Sequence, residues 1–270
     1  MVIRNAVPLF NGEVVVSPSG IYTFVHYYEH PVTSRKVVMV GMDHAGDEEY
    51  FARVKQILIA CDLVLFEDIR KEQRQQRERD AEEEEMRKVF SEANPDEAFF
   101  VAMQLYFLNV QKILSPQDEG EAFDAEYNQP HWFSGDTMLL TEAQEQEYLE
   151  ALTKGLQIIS SSRKQEVVDY VKKALEKMER GCFTRRDLGR GFVFFYSDPL
   201  MAQIILENLA KPRDLHCFSE FDRLLQERSP QTIGIKFGAG HISFQRQLLE
   251  ERGYIHQKSK KLRNMSFARS

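Results

Sequence analysis

The chain has 270 residues, 43% of them hydrophobic and 29% charged, with a formal net charge of −7. That length and composition fit a soluble globular protein able to bury a substantial core. The acidic balance excludes a general nucleic-acid binder, which needs a basic face, and no apolar run approaches the ~20 residues that span a bilayer.

Residues 13–40 read as strands. Ile21 to Tyr28 is rich in aromatic and β-branched residues, punctuated by Pro18, Gly20, Pro31 and Ser34. Val37 to Met42 is continuously apolar, as in a strand buried on both faces, and runs into the turn Gly41-Met42-Asp43-His44. From Asp47 to Ala60, Tyr50, Phe51, Val54, Ile57 and Leu58 recur at helical spacing, with Asp47 placed to cap the helix. Leu63-Val64-Leu65-Phe66 is a second buried strand, ending at Glu67. Strand, helix and strand make a βαβ unit with parallel strands. If those strands are neighbours, their tips lie ~5 Å apart, and His44 and Glu67 project from one edge of the sheet.

From Lys71 to Glu85 the only apolar residue is Ala81, so this run reads as a solvated helix held by pairs such as Arg79 with Glu83. Asn94-Pro95 opens a helix with an apolar face from Phe99 to Val110, closed at Ser115-Pro116. Residues 117–137 read as a loop. Thr141 with Gln144 starts a helix carrying Tyr148, Leu152, Leu156 and Ile159, and Val167 to Met178 forms the next, ended by Gly181. Phe192 to Tyr196 is a strand or a helix entry; periodicity does not decide. Ser197-Asp198-Pro199 starts a helix, and a short one follows near Phe218 to Leu225. The strand 231–237 leads into a second turn, Gly238-Ala239-Gly240-His241, and a last helix runs near Phe244 to Arg252. The tail, with Lys258, Lys260, Lys261, Arg263 and Arg269, reads as a frayed terminus, or else a patch for an acidic partner or a membrane surface. The expected architecture is one α/β domain over residues 1–270: a central mixed β-sheet flanked by helices, with a helical insertion, 70–190, between the two Gly-x-x-His βα modules.

Histidine turns at the C-terminal tips of buried strands are where α/β sheets place their chemistry. His44, Glu67 and His241 therefore form the candidate site, either as ligands of a divalent metal with open positions or as a metal-free base and acid pair. The bland alternative is that each histidine only satisfies turn backbone groups. Asp43 is placed to orient His44 or to face outward. Asp136, near His131-Trp132, is a candidate pocket residue; it and Asp43 are the substrate-binding candidates. His26 and His30 lie ~13 Å apart in a strand, too far for one ion. There is no Gly-x-Ser-x-Gly elbow, Walker loop or His-Glu-x-x-His, so no nucleotide cofactor is expected. Cys61, Cys182 and Cys217 form no Cys-x-x-Cys pair, which suggests neither a zinc knuckle nor a disulfide framework. With no signal-peptide pattern at Met1-Val2-Ile3-Arg4-Asn5, the expected compartment is cytoplasmic.

The pattern resembles the TraB/TIKI group within the erythromycin-esterase-like and ChaN-like clan. The resemblance rests on Gly41-Met42-Asp43-His44 with Tyr50 and Val54, on Cys61 through Glu67, and on Gly238-Ala239-Gly240-His241 before Leu248-Leu249 and Gly253-Tyr254. A weaker segment, Trp132 to Glu142 with Asp136 and Met138, is similar to a family segment with an Ala-Asp-Met core. The resemblance implies an α/β fold whose strand ends carry His44, Glu67 and His241. It also implies hydrolysis of amide or ester bonds in a peptide or small molecule, with manganese, cobalt or zinc as a metal or with none. The family's Arg-Asn or Arg-Asp pair before the late helix is replaced by Ser197-Asp198, and its Pro-Gly after the second histidine by Ile242-Ser243-Phe244. A non-catalytic interaction protein retaining the fold is the alternative.

Overall fold

The apolar runs around Val37, Leu63 and Ile233, the last interrupted by Lys236, lie side by side in the middle of one mixed sheet of an α/β fold. The structure, a computed structural model, describes residues 3–67, 86–88, 90, 98–99, 101–103, 105–106, 109–110, 117–136, 158–198 and 210–268. Its strands are β1 (Val7–Leu9), β2 (Val14–Ser17), β3 (Gly20–Glu29), β4 (Lys36–Met42), β5 (Ala45–Gly46), β6 (Leu63–Phe66), β7 (Gln117–Asp118), β8 (Trp132–Ser134), β9 (Thr232–Gly238) and β10 (Ile255–Ser266). Its helices are α1 (Glu48–Leu58), α2 (Glu119–Phe123), α3 (Ser161–Glu179), α4 (Arg185–Tyr196), α5 (Lys211–Arg228) and α6 (Ala239–Glu251). The main sheet runs β1-β2-β3-β4-β9-β6-β8, with β10 also on β3. Strands β4, β9, β6 and β8 are mutually parallel and the rest antiparallel.

Strands β4 and β6 are parallel but not neighbours. β9 lies between them, pairing Met42 with Gly238 on one side and Phe66 with Lys236 on the other. Two strand spacings put the tips of β4 and β6 ~10 Å apart, double the separation for adjacent strands. The sheet edge is still shared, and the second glycine-histidine turn emerges between the other two.

Both faces of the central strands are covered. Val38, Val40 and Met42 pack with Tyr50, Phe51, Val54 and Leu58 of α1, while Val37, Met39, Ile233, Ile235 and Phe237 pack with Phe218 and Phe221 of α5 and Leu248 and Leu249 of α6. Burying each of these large side chains contributes about 2 kcal/mol. A third cluster joins β1, β2, α3 and α4 to helical residues between Phe99 and Val110.

Several expectations change. The basic tail is β10, an edge strand paired along β3 from Ile255↔Glu29 to Ser266↔Gly20. Buried Leu262 and Met265 anchor it, and lysines on an unpaired edge oppose further strand addition. Residues 117–136, read as a loop, contain β7, α2 and β8, so the stretch 70–190 adds a strand to the main sheet. Phe192 to Tyr196 is the end of α4, which starts in a capping box between Thr184 and Asp187. The short helix near Phe218 is the longer α5. Asp47 sits at the N-cap of α1, but its carboxylate accepts from Arg185 Nη1 (2.5 Å) and the Ser266 amide (3.1 Å) instead of capping. Trp132 packs in the core against Phe66 and Phe123, not in a loop pocket. The charged run at 71–85, the helix starts at Asn94-Pro95, Thr141 and Pro199, and Met138 lie outside the described residues. Among the described residues no helix is long and apolar enough to cross a membrane.

Candidate functional site

His44 leaves the tip of β4. The next two residues, β5, pair with β7, which sets Glu119 beside the histidine. The Glu119 amide donates to the His44 carbonyl at 3.2 Å, and Glu119 Oε2 lies 2.7 Å from His44 Nδ1. The carboxylate that orients His44 is therefore Glu119 and not Asp43. Asp43 is half-buried beside Tyr50 and Tyr196, adding to the burial that raises both phenols.

Glu67 extends the end of β6, its amide donating to the Lys236 carbonyl at 2.9 Å. Its carboxylate is buried: Oε2 accepts the Gly238 amide at 2.6 Å and Oε1 accepts Arg213 Nη2 at 2.6 Å. Arg213, in the first turn of α5, forks onto Asp136 through Nε (2.9 Å) and Nη2 (2.6 Å). Asp136 thus reaches the site through Arg213, and its side chain is 0% exposed.

His241 lies in the first turn of α6. Its Nδ1 meets Asp214 Oδ1 at 2.9 Å, and Gln245 Nε2 donates to the same oxygen at 2.6 Å. Its Nε2 points at Glu67 Oε1, 3.4 Å away, while His44 Nε2 stands 3.9 Å from Glu67 Oε2. Three distant segments thus meet over one carboxylate. Gly238 makes this closeness possible: a Cβ there would lie 3.2 Å from Glu67 Oε2, 3.3 Å from His44 Nε2 and 3.6 Å from His241 Cδ2.

Burial alone would raise the Glu67 carboxyl, but His241 and Arg213 hold it well below the usual range. Burial would lower His241, yet Glu67 and Asp214 bring it up to about 9. Burial also opposes ionisation of Glu119, which Lys236 and His44 keep below its ordinary value. Asp214 is raised, because burial outweighs its contact with His241. Lys236 is fully buried, on Glu119 Oε1 and beside the rings of Phe123 and Tyr127.

Both imidazoles are tied at Nδ1 to a carboxylate and turn Nε2 toward Glu67. In metal sites that arrangement fixes the tautomer that ligates through Nε2. Among the described residues no three acidic, histidine or cysteine side chains already stand as a metal-holding group. The donor chemistry nevertheless suits a divalent ion. Glu67, Glu119, Asp136 and Asp214 are buried acids, and the fixed cations among the described residues at the site are Arg213 and Lys236. With neutral imidazoles, two negative charges are left uncompensated.

Four of these residues, Glu119, Arg213, Asp214 and Lys236, escape a sequence-only reading. The arginine that meets Glu67 is Arg213, followed directly by Asp214, while Asp198 accepts from Arg163 Nε at 3.2 Å. The signal for Lys236 is a lone charge within an apolar strand, where an unpaired charge is costly.

The fold and the site together define an α/β protein with a carboxylate-backed pair of histidines at the carboxyl edge of its parallel strands. Comparison with family models, curated proteins and solved structures finds no match to the chain.

Proposed function

We propose that the protein is a hydrolase of amide or ester bonds in a peptide or small molecule, acting at His44, Glu67 and His241 as the TraB/TIKI resemblance leads one to expect. The observation that carries this reading is the convergence of two imidazole Nε2 atoms on the buried Glu67 carboxylate, 3.9 and 3.4 Å away. His44, the most exposed of the three, takes the proton of an attacking water at Nε2 while Glu119 holds its ring. His241 returns a proton to the leaving group. Arg213, anchored by Asp136, offsets negative charge developing on the carbonyl oxygen. The residues that would hold a manganese, cobalt or zinc ion are His44, His241 and Glu67. Such an ion would polarise the carbonyl and acidify its bound water. The non-catalytic alternative draws on a missing arginine and on the long charged segment; Arg213 at Glu67 weakens the first ground, and the charged run lies outside the described residues.

The test is calorimetry of metal-free protein with manganese, cobalt and zinc, followed by a peptide and ester screen with and without each ion. Turnover lost in His44→Ala and His241→Ala is expected, with or without a binding heat. Turnover unchanged in His44→Ala, or absent for every substrate and ion while the protein stays folded, would overturn the reading.

A further inference from the structure

On the sheet face away from α1, far along the chain from these turns, a second set of groups has the geometry of an activated nucleophile. Ser259 pairs across β10 and β3 with His26. Its Oγ lies 2.8 Å from His26 Nδ1, and His26 Nε2 lies 2.6 Å from Glu13 Oε2. Glu13 and His26 are buried and Ser259 is exposed. Arg246 Nη1 donates to Glu13 Oε1 at 2.9 Å, and Arg246 Nε reaches the Tyr28 hydroxyl at 2.9 Å. A carboxylate only accepts, so with neutral His26 the Nε2 proton faces Glu13 and the lone pair on Nδ1 faces Ser259. The Ser259 hydroxyl must then donate to Nδ1. His256 Nε2, 2.9 Å from the same Oγ, donates to it. Nucleophile, base and orienting acid in hydrogen-bond contact are the signature of covalent catalysis.

We propose that Ser259, His26 and Glu13 form a second, metal-independent nucleophilic site that accepts an acyl group from an ester. The half-buried Phe24, stacked on His26 with ring centroids 6.2 Å apart, offers an apolar surface for the acyl chain, bounded by Tyr22 with the Lys261 ammonium 4.0 Å over its ring. In the acylation step the Ser259 Oγ–carbonyl carbon bond forms and the carbonyl carbon–alkoxy oxygen bond breaks. The hydroxyl proton passes to His26 Nδ1 and on to the leaving alkoxide. Water then repeats the sequence to release the acid.

The test uses a serine-directed fluorophosphonate on the full-length chain, in which the Oγ–phosphorus bond forms, fluoride leaves and the proton goes to His26. Mass spectrometry maps the adduct. Ser259 should label on the order of 100-fold faster than the exposed Ser160 and Ser162, the usual worth of a positioned base. Ser259→Ala should abolish the fast adduct without lowering the melting temperature, and His44→Ala should leave it unchanged, which separates this site from the one above. Labelling of Ser259 no faster than Ser160 would overturn the proposal, as would fast labelling that survives His26→Gln in folded protein. If His26→Gln does not fold, the internal comparison with Ser160 and Ser162 decides alone.

Discussion

Replacing Lys236 by Met tests whether the charge network under the site is as described. Lys236 and Glu119 have side chains 0% and 1% exposed, and each is the other's ion partner. Met keeps most of the side-chain volume, so the packing on Phe123 and Tyr127 changes little. What changes is that Glu119 loses its cation inside the protein. Removing one partner of a buried pair costs about 3–5 kcal/mol, which in a chain of this size lowers the melting temperature by roughly 10 °C. The double variant Lys236→Met/Glu119→Gln should recover more than half of that loss, since a neutral amide needs no counter-charge and still meets His44 and Tyr127. The sign with pH is fixed by Glu119. Its carboxyl is held below the ordinary value in spite of burial, so it adds stability above the unfolded pKa and loses it as pH falls through the folded one. In Lys236→Met burial is opposed only by His44 and the Tyr127 hydroxyl, and the carboxyl rises. The gap between variant and wild type should therefore be widest near neutrality and narrow on acidification. Urea unfolding of the four proteins of the cycle, at neutral and acidic pH, measures this. A single-variant loss below about 1 kcal/mol, or additive losses in the double variant, would refute the argument.

Gly238→Ala has a backbone it can adopt, φ −52°, so it should fold with a melting temperature near wild type yet lose metal heats and turnover, because its methyl occupies the space between Glu67 and His44. Gly191→Ala places a methyl on the Tyr106 hydroxyl and should cost about 1–3 kcal/mol despite the better helix propensity of Ala. Tyr106→Phe should relieve only part of that loss in thermal melts, since the ring Cζ would still stand 2.6 Å from the methyl. Asp187→Ala removes the acceptor of Thr184, Lys177 and Arg190 and should cost about 1–2 kcal/mol at neutral pH. Burial opposes these donors, but they hold the Asp187 carboxyl below its ordinary value, so the loss should vanish as pH falls through the folded pKa.

The centre of the sheet was legible because strands covered on both faces are almost wholly apolar, as β4 and β6 are from Val37 to Met42 and Leu63 to Phe66, and as β9 is but for Thr232 and the buried Lys236. Their order was not, because local pattern says nothing about which strand lies between two others. β10 was misread for a related reason. Residues 255–261 are all exposed, so its charges look like a solvated tail, and it is a strand only because β3 offers a ladder. At the site, His44, Glu67 and His241 could be found because each sits at or just past a strand tip. Glu119 and Asp214 could not, since each reaches its histidine from the first turn of a helix whose placement depends on tertiary contacts.

The same accounting says which part of the site is adjustable. Arg213 and Lys236 are fixed cations, and Glu67, Glu119 and Asp136 each accept from one of them. The fourth buried acid, Asp214, is met by His241 and Gln245 instead. Among the described residues, further positive charge at the site would enter at the imidazoles, by protonation or with a divalent ion that they would hold under the proposed function, and not by both routes, since a protonated ring does not ligate. Asp214→Asn is thus informative in either case. It removes one negative charge and leaves only a neutral amide oxygen to accept from His241 Nδ1, while Gln245 and the core around Phe218 remain.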